Sequence, residues 1–314
     1  MSASGNTINY DLRTAKSVER RMISTVTKEL FKSVNYNKRR YVGMGSTYFT
    51  DFKIFHKELH IDNMISFELE EDLKKRVEFN KPFSTIDIKI GKSTDILPKI
   101  DWDKSVDLIW MDYDEKLQYD YFNDIEIIFS NISLGSVYLM TCNKQLNNYN
   151  SIEEFNEIFG ELVPNDINIK DFNGENDMFL IQRMLLNKIN HILQARNYSL
   201  PANQQLIFRQ LFFFIYRDGA PMISYGGYVD LKNNNFELSN YNLNKFDFIK
   251  TNNEYYRIDP PIVTHKEINL LNSCLPGTPK KFEAYKKIKF IPKKDRENFR
   301  ELYKFLPTYM DVLY

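Results

Sequence analysis

The sequence predicts an α/β fold built on a mainly parallel sheet. Between residues 36 and 145, short apolar segments that fit strands alternate with amphipathic segments that fit helices. The segment 106–111 is apolar without alternation, as expected for a strand covered on both faces. Farther along, two long apolar runs flank the turn-forming residues 217–221, which indicates an antiparallel hairpin over 207–229.

The first predicted element is an amphipathic helix over 14–34, after a polar tail. Val18, Met22, Val26 and Leu30 recur every fourth residue among charged side chains. This spacing places them on one face of a helix, which must pack against the rest of the protein.

The next hundred residues contain five predicted strands and the helices that connect them. The strands are 41–43, 64–67, 85–90, 106–111 and 136–141. The helices are 49–59, 70–79 and 119–130. Because crossover connections between parallel strands are right-handed, ligands are expected beyond the carboxyl ends of the strands.

The remaining chain is predicted to hold helices over 152–162 and 184–194, the hairpin, and a smaller C-terminal part. Thr264 and Glu267 form a capping-box pattern that starts a short helix, and a last helix covers 296–305. We therefore divide the chain into an N-terminal tail and helix (1–35), a central α/β domain (36–230, with its core at 36–145) and a C-terminal extension (231–314).

Composition excludes several classes of protein. The 42 basic and 42 acidic residues balance, which argues against bulk binding of nucleic acid. Cys142 and Cys274 are the only cysteines, so neither a disulfide framework nor a zinc set is predicted. The polar N-terminus and the absence of a long apolar run predict no membrane span. We expect a cytoplasmic protein.

Two features mark a nucleoside site. Gly43, Gly45 and Ser46 follow the first strand and precede a helix, where glycines allow a tight turn and helix N–H groups lie free. Glu68 closes the second strand, at the position where a carboxylate accepts hydrogen bonds from ribose hydroxyls. An ordinary strand-to-helix turn would explain the glycines equally well.

Further polar residues follow the third, fourth and fifth strands. Ser93 and Asp95 are candidates to contact an adenine ring, although Asp95 equally fits a helix N-cap. Asp112 and Asp114 end the fourth strand and are candidate catalytic carboxylates. Asn143 is expected near Asp112. The side-chain oxygens of Asp112, Asp114 and Asn143 would together suit Mg²⁺, but our prediction assigns no metal.

This ordered series resembles the motifs of class I S-adenosylmethionine-dependent methyltransferases, and the chain resembles bacterial O-methyltransferases of unknown substrate. The resemblance implies a Rossmann-like, seven-stranded sheet with an α+β C-terminal extension, and it implies S-adenosylmethionine as cofactor. It assigns cofactor binding to Gly43, Gly45, Ser46, Glu68, Ser93, Asp95 and Asp112, and catalysis to Asp112 and Asp114. The family's first motif normally begins with an acid and contains a third glycine, whereas this chain has Tyr41 and Thr47 at those positions.

The resulting prediction is a methyltransferase that acts on an oxygen or another non-base acceptor. The prolines typical of base-amine methylases are absent after Asp112, which favours such an acceptor. The acceptor itself is unknown, and a protein partner or a homodimer stays open. The alternative is a catalytically degenerate module that serves as a scaffold, for example in a bacterial defence system. A nicotinamide oxidoreductase ranks last because position 48, where a glycine is expected, is Tyr.

Overall fold

A computed structural model describes residues 13–307 of the protein. The predicted polar tail therefore lies largely outside the described residues. The described part holds one eight-stranded sheet with helices on both faces. No helix between residues 13 and 307 has the length and apolar character needed to cross a bilayer.

The sheet has the strand order β3-β2-β1-β4-β5-β7-β6-β8. Strands β1 to β5 run parallel to one another, and β7 is antiparallel to both β5 and β6. The strands are β1 (Arg39–Met44), β2 (Asn63–Glu68), β3 (Ile86–Ile90), β4 (Val106–Lys116), β5 (Val137–Asn143), β6 (Leu206–Asp218), β7 (Ala220–Leu231) and β8 (Tyr256–Ile258).

The helices fill both sides of this sheet and the C-terminal part. They are α1 (Thr14–Leu30), α2 (Thr50–Leu59), α3 (Lys74–Asn80), α4 (Ser93–Ile96), α5 (Tyr119–Asn131), α6 (Ile152–Phe159), α7 (Asn176–Tyr198), α8 (His265–Asn272), α9 (Pro279–Ala284) and α10 (Lys293–Leu302).

Two apolar cores sandwich the sheet. One core joins α1, α2 and α3 to the sheet face that carries Leu108 and Trp110. The other joins α5, α6 and α7 to the opposite face, which carries Ile109 and Met111. Successive residues of β4 thus face opposite cores, which is why this strand shows no alternation in its sequence. A third, smaller core lies among the C-terminal helices α8 to α10.

The α/β, Rossmann-like fold class is confirmed, with the hairpin predicted over 207–229 in place as β6 and β7. The structure adds a three-residue strand, β8, which pairs parallel to β6 at the sheet edge and raises the strand count from seven to eight. The helix predicted over 184–194 is longer, since α7 begins at Asn176 and ends at Tyr198. The capping box at Thr264 and Glu267 is present.

Close packing explains the glycine pair of β7. A Cβ atom on Gly226 would overlap the carbonyl oxygen of Tyr138, and one on Gly227 would overlap the carbonyl oxygen of Arg209. The pairing of β6 with β7 is also irregular between Gln210 and Phe212. The two glycines let β7 lie tightly between β5 and β6.

Candidate functional site

The turn after β1 lies directly against the end of β2. Gly43 is in register with Ser66 of β2 and with Trp110 of β4. The backbone N–H of Gly45 donates to the carbonyl oxygen of Phe67 at 2.5 Å. Since Glu68 follows Phe67, the predicted ribose carboxylate and the glycine turn are neighbours at the carboxyl edge of the sheet.

Both glycines of this turn are required by the protein's own packing. A Cβ atom on Gly43 would overlap the hydroxyl of Tyr41. A Cβ atom on Gly45 would lie 2.5 Å from Ser66 Oγ and 2.8 Å from the Phe67 carbonyl oxygen. The glycines thus allow β1, β2 and the Tyr41 ring to approach, in addition to any role in ligand binding. Ser46 Oγ accepts a hydrogen bond from the Tyr48 N–H at 3.2 Å, which shapes the same turn.

Glu68 ends β2 as a partly buried carboxylate. Its register partner is Ile90, its Oε1 accepts a long hydrogen bond, 3.4 Å, from the Glu70 N–H, and the Leu69 N–H also contributes. Burial raises the pKa of Glu68. A desolvated carboxylate with spare acceptor capacity favours a ligand that offers hydroxyl donors.

The two residues predicted to contact adenine have different surroundings in the structure. Ser93 begins α4, and its hydroxyl donates to Asp124 Oδ2 at 2.6 Å, so that proton is already engaged inside the protein. Tyr113 donates to the same oxygen at 2.6 Å. Asp95 is exposed in the first turn of α4, and Lys92 is the N-cap residue without a side-chain cap, so the N-cap alternative for Asp95 is wrong.

Asp112 and Asn143 are not register partners. Asp112 lies opposite Thr141, whereas Asn143 lies opposite Lys116 beyond an irregularity in the β4–β5 pairing. The Asn143 side chain accepts a hydrogen bond from the Gln145 N–H at 3.0 Å. Within 13–307, no group of three or more His, Cys, Asp or Glu side chains is arranged to hold a metal ion. Asn143 therefore lies two residues beyond the register partner of Asp112, and its side-chain oxygen already accepts a hydrogen bond from the protein.

Lys16 of α1 lies at the centre of a buried polar network. Its Nζ is 2.6 Å from Asp112 Oδ1, 2.9 Å from Glu19 Oε2 and 3.0 Å from the Tyr216 hydroxyl. The same ammonium lies 4.3 Å from the centre of the Trp110 ring. Lys16 is 3% exposed and Glu19 is fully buried. Burial raises the pKa of Asp112, and the neighbouring Lys16 opposes that rise.

The network continues into the sheet and fixes the start of α1. Ser224 donates to Glu19 and lies 2.6 Å from Thr141 Oγ1. The Lys16 backbone N–H donates to Asp218 at 2.9 Å, in the turn region of the hairpin. Helix α1 is therefore attached by polar contacts to the carboxyl edge of the sheet, beside Asp112.

A second polar group surrounds Arg20, which lies one helical turn after Lys16 on α1. The Tyr41 hydroxyl donates a hydrogen bond to Asp51 of α2 and lies directly over Gly43. Burial raises the pKa of Asp51, and the positive charge of Arg20 opposes that rise. Arg20 itself is 3% exposed.

Sequence reasoning missed Glu19, Arg20, Asp51 and Asp124 as residues of this edge. One sequence signal could have found two of them. Lys16 and Arg20 lie seven and three residues before the buried Ile23, so both fall on the apolar stripe of the helix and are expected to be buried with it. Arg209, on β6, pairs with Asp230 at 2.6 Å. His56 lies 3.0 Å from the Ile61 carbonyl oxygen, in keeping with a structural role.

A protein-family model described as "Putative O-methyltransferase" matches residues 8–314. The chain belongs to this family. No curated protein matches its sequence significantly. The family assignment covers nearly the whole chain, so the C-terminal extension is part of the family's architecture and not an unrelated addition.

Among solved structures, the chain is similar to spermidine synthase from Thermotoga maritima, with 11% identity over 86% of this chain and 75% of that chain and a TM-score of 0.40. It is also similar to LepI in its complex with SAM, with 8% identity over 66% and 46% of the two chains and a TM-score of 0.35. PigF with SAH shows 11% identity over 68% and 64%, with a TM-score of 0.31.

Proposed function

We propose that this O-methyltransferase family member binds S-adenosylmethionine at the carboxyl edge of β1, β2 and β4 and methylates a hydroxyl group. The observation that carries the proposal is the half-buried Glu68 carboxylate, which ends β2 immediately beside the Gly43–Gly45 turn. Family membership over residues 8–314 supports the methyl-transfer chemistry. When bound, this cofactor supplies a methyl group that its sulfonium has already activated.

The residues present fit such a ligand. Glu68 offers acceptors for the two ribose hydroxyls, and Gly43, Gly45 and Ser46 form the turn beside it. Asp95 is exposed in the first turn of α4, while the hydroxyl oxygen of Ser93 retains acceptor capacity after its proton is donated to Asp124.

Asp112 and Asp114 are proposed to orient the acceptor hydroxyl and take its proton. Asp112 contacts Lys16 of α1 on the face that carries Trp110, and Asp114 lies close enough to act electrostatically on Asp112. A raised pKa suits a carboxylate that accepts a proton near neutral pH, and burial raises that of Asp112. Asp114 is exposed, so an incoming hydroxyl can reach it, and Asp112 is bonded to Lys16.

Calorimetric titration with S-adenosylmethionine tests the proposal. We expect Glu68→Gln to weaken binding about 10- to 100-fold, since hydrogen bonds to a charged acceptor contribute about 1.5–3 kcal/mol. Glu71→Gln is the matched control, because Glu71 is an exposed acid three residues away on the same connection. Absence of binding to the wild-type protein, or equal effects of both substitutions, would contradict the proposal and favour a non-catalytic scaffold.

A further inference from the structure

Arg20 is a buried cation with two side-chain nitrogens that lack acceptors. Its side chain is 3% exposed, and both Nε and Nη1 are buried without a hydrogen-bond partner among residues 13–307. A guanidinium carries five N–H donors and stays charged in proteins. Leaving such donors unpaired costs more than the hydrogen bonds would contribute, so the arrangement points to an acceptor that residues 13–307 do not supply.

Arg20 lies between the two halves of the proposed cofactor site. On one side, Lys16 lies one helical turn earlier on α1 and bonds to Asp112 at the end of β4. On the other, the charge of Arg20 acts on Asp51 and on Tyr41, whose hydroxyl covers Gly43. The guanidinium therefore faces the region between the first and fourth strands.

The charges around this region are mostly acidic. Glu19, Asp51, Asp112 and Asp218 lie at the edge, and Lys16 is already occupied by Glu19 and Asp112. Arg20 also interacts electrostatically with Asp218 and Asp51, but no hydrogen bond joins it to either of them within the described residues. Among these cations, Arg20 is the one whose donors a ligand anion can complete.

We propose that Arg20 binds the carboxylate of the amino-acid portion of S-adenosylmethionine, an inference that rests on the proposed function. The planar guanidinium matches a carboxylate by two parallel hydrogen bonds. The surrounding acids suit the sulfonium and ammonium charges of the same ligand. Arg20 thereby selects a cofactor that bears a carboxylate over one that lacks it.

A pair of ligands that differ only in this group provides the test. S-adenosylmethionine and its decarboxylated form share the adenosyl, sulfonium and ammonium groups, so the ratio of their dissociation constants reports the carboxylate contact. We expect the wild-type protein to prefer the intact ligand about 10- to 100-fold, the range for a charge-assisted hydrogen-bonded pair. In Arg20→Gln, the ratio should fall to within about threefold of unity, chiefly through loss of affinity for the intact ligand.

Lys28→Gln is the matched control, because Lys28 is an exposed cation about two helical turns farther along α1. It should leave the ratio unchanged. Arg20→Lys, which keeps the charge but loses the planar fork, should give an intermediate ratio and preserves the test should Arg20→Gln fail to fold.

The outcomes separate the two proposals. Equal wild-type affinity for both ligands, or an Arg20→Gln ratio equal to that of the wild type, overturns the role of Arg20 and leaves cofactor binding intact. Failure of the wild-type protein to bind either ligand overturns the proposed function and this inference together.

Discussion

Replacement of Lys16 by methionine removes the cation that joins α1 to Asp112 at the carboxyl edge of the sheet. Methionine keeps the apolar stem that packs beside Trp110 but loses the ammonium, whose distances to Asp112, Glu19 and Tyr216 are 2.6, 2.9 and 3.0 Å. Two carboxylates then remain without their cation in a site where Lys16 is 3% exposed. Breaking a buried pair by removing one partner costs about 3–5 kcal/mol, so we expect a loss of about 3 kcal/mol in the free energy of unfolding.

The size of this loss should depend on pH. Burial raises the folded-state pKa of Asp112, and the methionine variant lacks the Lys16 charge that opposes the rise. A carboxyl group whose folded pKa exceeds its unfolded pKa stabilises the protein at low pH, and this contribution disappears as the pH rises through the folded value. The penalty of Lys16→Met should therefore be small near pH 4.5 and reach its full size near pH 7.5.

Urea unfolding followed by circular dichroism measures the effect, which should lower the midpoint by about 1 M at neutral pH. Lys28→Met, an exposed position on the same helix, should change the free energy of unfolding by less than about 0.5 kcal/mol. Adding Asp112→Asn to Lys16→Met should recover at least about 1 kcal/mol, because one of the uncompensated charges is removed. A penalty below about 1 kcal/mol, or one that is independent of pH and of Asp112→Asn, would refute this interpretation of the network.

Three further predictions concern other parts of the fold. Gly227→Ala places a Cβ atom against the Arg209 carbonyl oxygen and should lower the free energy of unfolding by at least about 2 kcal/mol. Gly277→Ala, whose Cβ would lie 3.5 Å from its nearest neighbour, should be nearly neutral, and thermal unfolding measures both variants. Burial raises the pKa of Asp51, so Asp51→Asn should gain stability relative to the wild type as pH rises from about 4 to 7 in denaturant titrations, and a constant difference would contradict this. Thr264→Ala removes the α8 cap and should cost about 1 kcal/mol, seen as faster amide hydrogen exchange in α8 but not in α5.

The alternation of strands and helices was sufficient to predict the central architecture. Strands β1 to β5 and the β6–β7 hairpin are found where the patterns placed them, because apolar periodicity and turn residues act over a few positions of the chain. The edge strand β8 was missed since a three-residue strand has no periodicity of its own. Its pairing with β6 depends on chain segments that lie more than thirty residues apart in sequence.

The candidate site, too, was predicted in part from the sequence and decided in part by the tertiary structure. The order Gly43, Glu68, Asp112 at successive strand ends was readable from the sequence, since parallel strands bring their carboxyl ends to one edge. The sequence assigned the domain boundaries and the cofactor-binding and catalytic roles as well, and these stay predictions until binding and activity are measured.

The tertiary structure alone decided what surrounds those residues. The pairing of Lys16 with Asp112 joins segments far apart in the chain. The burial of Arg20 and the irregular register between β4 and β5 likewise depend on how distant elements pack. A charged residue on a helix normally faces water, and only the packing of α1 against the end of the sheet makes burial the outcome here. Local sequence patterns specify elements, whereas contacts between distant side chains are specified by how those elements pack.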